Sequence, residues 1–173
     1  MGMETVYVHQ FETQLGLIRT AATKQGLALV ALPNQSKSAF ESALAKMFPN
    51  SQRLPGGQYN LRAERQISEY LQAKRRQFSI KLDLRGTAFQ KLALQQVASI
   101  PYGRTMSYGQ IAEAIGHPLA SRAVGSANAG NNLPIIIPCH RVVASNGLGG
   151  YGGGLAMKVK LLQIEGALKA GRS

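Results

Sequence analysis

The chain has 173 residues, 45% of them hydrophobic, and carries 20 lysines and arginines against eight acidic residues. This length allows one large or two small domains with a buried core. The sequence contains neither an apolar run of membrane-spanning length nor a signal peptide, so we expect a cytoplasmic protein without a membrane partner. The net charge of +12 favours a polyanionic partner, first of all nucleic acid. The alternative is a basic protein whose charges are only solvated.

The single cysteine and three histidines narrow the possible chemistry. One thiol excludes an internal disulfide and a CxxC redox pair. Three scattered histidines with one cysteine also argue against a structural zinc site. We therefore expect no metal site.

The first half of the chain has the pattern of a small sheet followed by helices. Three short strands, 5–11, 15–22 and 27–32, are predicted to form an antiparallel meander. A helix is predicted from Ser36 or Ser38 to Met47, then a loop over 50–58, then a second helix over 61–77. The basic triplet 74–76 would complement the dipole at the end of this second helix.

An extended segment, 78–85, leads to Gly86, which marks the predicted domain boundary. We expect a helix capped by Thr87 and ending near Ser99. Two short helices, 108–115 and 119–129, flank a Gly-His-Pro turn and indicate a helix-turn-helix. The predicted organisation is an N-terminal domain of residues 1–80, a linker of residues 81–86 and a C-terminal domain of residues 87–173.

The second helix of this motif is unusual for a DNA reader, because nearly all its side chains are small. Arg122 is its only long charged side chain. Major-groove readers need several long donors and acceptors to distinguish base pairs. A smooth helix can instead approach a backbone or a narrow groove and leave one arginine to insert. The alternative for Arg122 is an ordinary surface arginine.

The stretch 135–143, Ile-Ile-Ile-Pro-Cys-His-Arg-Val-Val, holds the only thiol. Its β-branched run predicts a buried strand that Pro138 ends. Cys139 would then lie at the end of a rigid element with His140 and Arg141 beside it. Because positive neighbours lower the pKa of a thiol, we expect a thiolate to form near neutral pH. An inert buried cysteine is the alternative.

Three further features surround this thiol in the sequence. Adjacent residues of an extended segment point to opposite sides, so we expect a bridging water between Cys139 and His140. Glu165, at the end of a predicted helix over 155–164, is the candidate to orient His140. The glycine-rich stretch 145–154 formally contains GxGxxG but lacks a βαβ unit. We interpret it as a loop that lets a flat ligand approach Tyr151.

The Pro-Cys-His-Arg-Val run resembles the active-site signature of the O6-alkylguanine-DNA alkyltransferases. The similarity continues in order and spacing across residues 87–166, whereas the N-terminal third resembles the family only in its strand–helix pattern. Ala88 stands where the family usually has Pro, and the chain has no Trp; both departures concern helix start and packing. The other matching segments are Thr87-Ala88-Phe89-Gln90, Ile100-Pro101-Tyr102-Gly103, Ser107-Tyr108-Gly109, Ser121-Arg122-Ala123-Val124-Gly125, Asn131, Tyr151, Gly153-Gly154 and Leu161-Leu162 through Glu165-Gly166.

The resemblance implies an α+β protein. Its N-terminal domain would be ribonuclease-H-like, with a small antiparallel sheet and helices, and its C-terminal domain winged-helix-like with a helix-turn-helix. It further implies a monomeric DNA repair protein that binds double-stranded DNA containing O6-alkylguanine through the minor groove. Such a protein flips the damaged nucleotide out and transfers the alkyl group irreversibly to its own cysteine, with O4-alkylthymine as a weaker expected substrate. No cofactor is implied, and the zinc-binding cysteines of some relatives are missing.

Carried to single positions, the resemblance makes Cys139 the alkyl acceptor, His140 its activator through a water, and Glu165 the group that polarises His140. Tyr108 would help to rotate the nucleotide and protonate the leaving guanine. Arg122 would enter through the minor groove and fill the vacated space. The other implied site residues are Asn131, which joins the helix-turn-helix to the active-site strand, Ser121, Ala123, Gly125 and Ala127 on the DNA side, and Val142, Tyr151, Gly152 and Lys158 around the guanine.

Two other functions stay open from the sequence. One is a DNA-binding module or regulator in which the cysteine is structural. The other is a cysteine hydrolase, which would require turnover of an ester or amide.

Overall fold

The computed structural model describes residues 2–169, which divide into two units between Leu84 and Arg85. In the N-terminal unit, β1 (Glu4–Thr13), β2 (Gly16–Thr23) and β3 (Gly26–Ala31) pair antiparallel in sequence order, which confirms the predicted meander. Helix α1 (Lys37–Met47) follows. The Ser36 side chain caps it by accepting a hydrogen bond from the backbone N–H of Ala39. The apolar core between sheet and helix contains Val6, Ala21, Ala28, Leu29, Ala31, Phe40, Leu44 and Phe48.

The predicted loop over 50–58 is wrong in its first half. Residues Ser51–Pro55 form β4, which pairs parallel with β1 at the edge of a four-stranded sheet of order β3-β2-β1-β4. Four of the five β4 residues are exposed, so the segment has no alternation of buried and exposed side chains. Its pairing depends on backbone hydrogen bonds to β1, which a side-chain pattern does not reveal.

The second predicted helix begins and ends earlier than expected. Helix α2 spans Gln58–Leu71, and its end is a Schellman motif in which Ala73 takes a positive φ of 59°. Ala73 N–H donates to the carbonyl of Tyr70 and Lys74 N–H to that of Glu69. The basic triplet 74–76 therefore lies just beyond the helix and not in its last turn as predicted. With alanine in place of the usual glycine, the sequence carries no signal for this helix end.

Residues 81–83 belong to the N-terminal unit by hydrogen bonding. Leu27 N–H donates to the carbonyl of Lys81, and Asp83 N–H donates to the carbonyl of Leu27, both at 2.8 Å. The Thr23 hydroxyl donates to the Asp83 carboxylate at 2.6 Å. Part of the predicted linker therefore extends the edge of the sheet at β3.

The C-terminal unit contains four helices within the described residues: α3 (Ala88–Ala98), α4 (Tyr108–Ala114), α5 (Ser121–Ala129) and α6 (Leu155–Ile164). Thr87 caps α3 as predicted, and Ser107 forms a reciprocal capping box with Gln110 at α4. The two-residue strands β5 (Met106–Ser107) and β6 (Val142–Val143) pair parallel. The predicted helix-turn-helix is confirmed as α4–turn–α5, although α5 begins two residues late, after a turn closed by Ala120 N–H to the His117 carbonyl.

The predicted α+β class is confirmed, with a small sheet and two helices in the N-terminal unit and the helix-turn-helix in the C-terminal unit. Between residues 2 and 169, no helix has both the length and the apolar character needed to cross a membrane.

Candidate active site

The segment that presents the thiol is not the predicted strand. Ile135 has a φ of +73°, which breaks any extended run and is unfavourable for a β-branched residue. Pro138, with φ −79° and ψ 64°, is the centre of an inverse γ-turn closed by Cys139 N–H to the Ile137 carbonyl at 2.7 Å. Cys139–Arg141 then form a single 3-10 turn that leads into β6. Cys139 is thus presented by two consecutive tight turns.

The thiol of Cys139 is buried, with 5% of the residue exposed. Burial raises the pKa of this thiol to about 11, against smaller lowering effects from an Asn131 side-chain hydrogen bond and the charge of Lys158. Arg141 is not among the groups that lower this pKa. The expectation that positive neighbours produce a thiolate near neutral pH is therefore wrong for the free protein, because loss of hydration outweighs their charge.

His140 and Glu165 form a buried pair, as predicted from sequence. His140 Nε2 lies 2.7 Å from Glu165 Oε2, and both side chains are fully shielded from solvent. Arg141 joins this pair: its Nε donates to Glu165 Oε1 at 2.8 Å and its second terminal nitrogen donates to Oε2 at 2.9 Å. Arg141 is therefore directed to the carboxylate and not to the thiol.

This geometry fixes the tautomer of His140. A carboxylate that accepts two guanidinium hydrogen bonds is ionised and has no proton to donate. The atom between His140 and Glu165 is thus the Nε2 hydrogen, and Nδ1 carries the lone pair. Burial lowers the pKa of His140, and the neighbouring Glu165 raises it by a smaller amount. The imidazole is neutral at pH 7 and can accept a proton at Nδ1.

Lys158 of α6 is fully buried and forms hydrogen bonds to the glycine-rich loop. Its Nζ donates to the carbonyls of Val142, Leu148 and Gly150, at 2.7, 2.5 and 3.0 Å. Burial lowers the pKa of Lys158 to about 8. Three simultaneous donations require the ammonium form, which agrees with a charged Lys158 at pH 7.

Two tyrosines border the thiol segment. The Tyr151 ring stands edge-on to His140, with ring centroids 6.4 Å apart, and its buried hydroxyl has no hydrogen-bond partner within residues 2–169. A Cβ atom built on Gly149, where φ is +73°, would lie 3.1 Å from the Tyr108 hydroxyl, and one built on Gly125 would lie 3.9 Å from the Tyr108 ring. Tyr108 therefore lies between α5 and the glycine-rich loop. It packs so close to Gly149 that any side chain at position 149 would push it away.

Two asparagines join α5 to the thiol segment. The amide of Asn128 donates to the Cys139 carbonyl at 3.3 Å, and that of Asn131 donates to the Ile137 carbonyl at 3.0 Å. Asn131 Oδ1 also accepts from the backbone N–H of Leu133 at 2.9 Å. A displacement of α5 would therefore also displace the backbone on both sides of Pro138.

The exposed side of α5 carries Arg122 and Ala123, with Ser121 and Gly125 half-buried. Ala127, expected on the DNA side, faces the core and is 5% exposed. Arg122 lies six residues before Asn128, and therefore about 9 Å along the helix axis from the residue that hydrogen-bonds to the Cys139 carbonyl. Of the residues expected around guanine, Val142 and Lys158 are buried, Tyr151 is half-buried and Gly152 is exposed.

Residues 88–167 match the family model described as 6-O-methylguanine DNA methyltransferase, DNA binding domain. A methylated-DNA–protein-cysteine methyltransferase of Methanosarcina acetivorans is 39% identical over 163 residues, which cover 94% of this chain and 99% of that protein. The chain belongs to the methylated-DNA–protein-cysteine methyltransferase family. The resemblance drawn from the sequence is thereby confirmed.

Other members of the family show where the similarity is concentrated. The methyltransferase of Mycobacterium leprae is 52% identical, but over 101 residues that cover 58% of this chain and 61% of that protein. A crystal structure of Mycobacterium tuberculosis OGT in complex with DNA superposes with a TM-score of 0.80 at 34% identity, covering 93% of each chain. The fold is therefore shared over nearly the whole length, including the N-terminal unit.

Sequence reasoning missed two parts of this site. Asn128 was not singled out, although Val124, Ala127 and Asn128 share the buried face of α5 by their spacing, and a polar residue on a buried face needs a partner. The contact between Arg141 and Glu165 was also missed, because adjacency to Cys139 suggested an effect on the thiol. No local signal links residues 24 positions apart.

Proposed function

We propose that this methyltransferase-family protein repairs DNA by moving the alkyl group of O6-alkylguanine to Cys139, and that of O4-alkylthymine more slowly. The observation that carries the proposal is a thiol beside a buried His140–Glu165 pair, joined through Asn128 and Asn131 to the helix-turn-helix. A thiol, a base and a DNA-binding motif thus belong to one rigid assembly. The protein acts as a monomer, because one assembly suffices for one lesion. Its proposed location is the cytoplasm, as expected from the sequence.

The reaction is a displacement at carbon. The thiol proton passes through a bridging water to Nδ1 of His140, and Glu165 stabilises the imidazolium that forms. The Cys139 sulfur attacks the alkyl carbon, an S–C bond forms, and the bond from that carbon to guanine O6 breaks. The electron pair leaves with the guanine, which takes up one proton, and Tyr108 is the donor. The product thioether has no good leaving group, so each molecule reacts once.

The raised pKa of Cys139 means that the reaction starts from the protonated thiol. At pH 7 a thiol with a pKa of about 11 is almost entirely protonated, so proton transfer to His140 must accompany attack. Protection of the thiol in the absence of a lesion follows from the same burial. A single-use acceptor benefits from this, because modification by another electrophile would end its function.

The DNA surface is formed by α5. Small residues such as Ala123 and Gly125 let the helix approach the duplex, and Arg122 enters from the minor groove to replace the nucleotide that is flipped out. Ala127 is not part of this surface, because its side chain lies in the core. Lesions occur in any sequence, so phosphate contacts and little base readout suit this task.

The guanine pocket is formed beside the thiol by Tyr151, Gly152 and the backbone of Val142, with Lys158 holding the loop in position. The buried Tyr151 hydroxyl without a protein partner is the kind of group that a bound base would satisfy.

The test is the intact mass of the protein after incubation with a duplex that contains one O6-methylguanine. We expect a gain of one methyl group per molecule, mapped to Cys139 by peptide analysis, and no gain for Cys139→Ala. Turnover beyond one equivalent, or methylation at another residue, would contradict the proposal.

The second candidate is a lesion-binding module with a structural cysteine, which the burial and raised pKa of Cys139 favour. The same experiment separates the two. Tight binding of the lesion duplex with no change in mass over hours would support this second candidate and contradict alkyl transfer.

A further inference from the structure

The Glu165 carboxylate has an unusually complete set of hydrogen-bond donors. Besides His140, it accepts from two nitrogens of Arg141, and its Oε1 lies 3.3 Å from the backbone N–H of Gly103. Both oxygens are therefore occupied by donors of fixed geometry. A carboxylate needed only to orient an imidazole does not require a bidentate guanidinium.

Arg141 is itself held by the protein on its remaining sides. Its first terminal nitrogen donates to the Ile100 carbonyl at 2.7 Å, and its guanidinium lies 5.7 Å from the centre of the Tyr102 ring. The Tyr102 hydroxyl donates to the carbonyl of Ile164, next to Glu165. Arg141 is 6% exposed, so the guanidinium cannot swing into solvent and leave the carboxylate.

We infer that Arg141 is a positioning residue that neutralises Glu165 and so keeps His140 uncharged and able to accept the thiol proton. The inference rests on the proposed function. A buried carboxylate without a compensating cation draws a proton onto the nearest base, here His140, to form an ion pair. An imidazolium cannot accept the proton of Cys139. Arg141 supplies the positive charge instead, and the imidazole remains a base.

The other groups around His140 support this assignment of charge. Helix α6 contributes the ammonium of Lys158, and the residue that follows the helix is Glu165. The thiol segment contributes Cys139 and Arg141, and the glycine-rich loop contributes Tyr151. Arg141 and Lys158 both lower the pKa of His140, whereas Glu165 raises it. The residues that α3 buries are Ala93, Leu94 and Val97, which carry no charge. Lys158 donates to three carbonyls, whereas Arg141 is a cation in direct contact with Glu165.

The test is the pH dependence of alkyl transfer to Cys139, followed by intact mass with an O6-methylguanine duplex between pH 5.5 and 9. The variants are Arg141→Met, which removes the charge, and Arg141→Lys, which keeps it. The matched control is Arg104→Met, which removes an exposed arginine of the same unit. A second measurement is the NMR titration of the His140 ring in each variant.

For Arg141→Met we expect the acidic limb of the rate profile to move to higher pH, together with the NMR midpoint of His140. Each pH unit by which the limb moves corresponds to about tenfold slower transfer at pH values below the limb, whereas transfer at pH 9 should change at most about threefold. Arg141→Lys should keep the limb near its original position. Should Arg141→Met not fold, Arg141→Gln is the neutral variant, since its amide can still donate one bond to Glu165.

A uniform loss of rate across the pH range, with an unmoved His140 titration, would show that Arg141 is only structural and would overturn the inference. An acidic limb that moves equally in Arg141→Lys and Arg141→Met would also overturn it, because charge would then not matter. Failure of the proposed function is distinguishable: the unsubstituted protein would gain no methyl group at any pH.

Discussion

Lys158 offers the sharpest test of how the guanine side of the site is held. Substitution Lys158→Met removes the ammonium but keeps a long, unbranched side chain of similar reach. The carbonyls of Val142, Leu148 and Gly150 lose their common donor. Two of these carbonyls belong to the glycine-rich loop, and the third belongs to β6, directly after the thiol turn.

The magnitude follows from the burial of each carbonyl. The bond to Val142 is buried, so its orphaned oxygen costs about 1–3 kcal/mol, whereas the partly buried oxygens of Leu148 and Gly150 can reach water and cost about 0.5–1.5 kcal/mol each. The variant also avoids the desolvation cost of burying an ammonium group, and this gain offsets part of the total cost. We expect a net loss of about 2–4 kcal/mol in the free energy of unfolding, or about 5–15 °C in Tm.

The assay is urea denaturation together with amide hydrogen exchange across residues 144–154. Lys160→Met is the matched control, because it removes an exposed lysine of the same helix and should stay within about 0.5 kcal/mol. We expect Lys158→Met to lose protection in the loop first and to slow methyl transfer. A Lys158→Met protein as stable and as protected as the Lys160→Met control would refute the assigned role of this lysine.

Three further outcomes are expected. Burial raises the pKa of Cys139 from 9.0 to about 11, so the protonated thiol stabilises the fold by a contribution that is present below pH 9 and is lost as pH rises through 11, by about 2–3 kcal/mol in all. Urea titrations at pH 8 and 10.5 should show about 2 kcal/mol of this loss in the native protein but not in Cys139→Ala. Arg122→Ala should slow transfer from duplex DNA by at least about tenfold, yet leave transfer from free O6-benzylguanine within about twofold. An equal loss on both substrates would contradict a role in base flipping. Arg104→Ala is the control for the loss of one positive charge. Ser107→Ala should cost about 1 kcal/mol of unfolding free energy, measured by urea denaturation, because it removes the side-chain cap of α4; an unchanged midpoint would count against that cap.

Local sequence signals determined most of the elements that frame the site. Thr87 and Ser107 are N-caps whose side chains satisfy the first helical N–H groups, and both helices begin where these residues predict. Helix α6 was predicted at Leu155–Ile164 and has those bounds, because Gly154 and Gly166 flank a continuous helical stretch. The pairing of His140 with Glu165 was also predicted, since acidic residues are scarce in that half of the chain.

Where backbone pairing or strain decides the structure, the sequence was misleading. Strand β4 forms only because β1 offers an edge, and the α2 helix ends at Ala73 without glycine. The run of three isoleucines indicates a strand, yet Ile135 adopts a positive φ. Tight packing around the thiol compensates such local strain, and a linear pattern does not record it.

The charged groups of the site also divide into what the sequence predicted and what only the tertiary structure decided. The sequence determined that a thiol, an imidazole and a guanidinium stand side by side at 139–141. Only the tertiary structure decided that Arg141 binds Glu165 and that Cys139 is buried enough to raise the pKa of its thiol to about 11. The physical reason is that a pKa depends on hydration and on distances to all charges nearby, and folding sets both by bringing distant residues together.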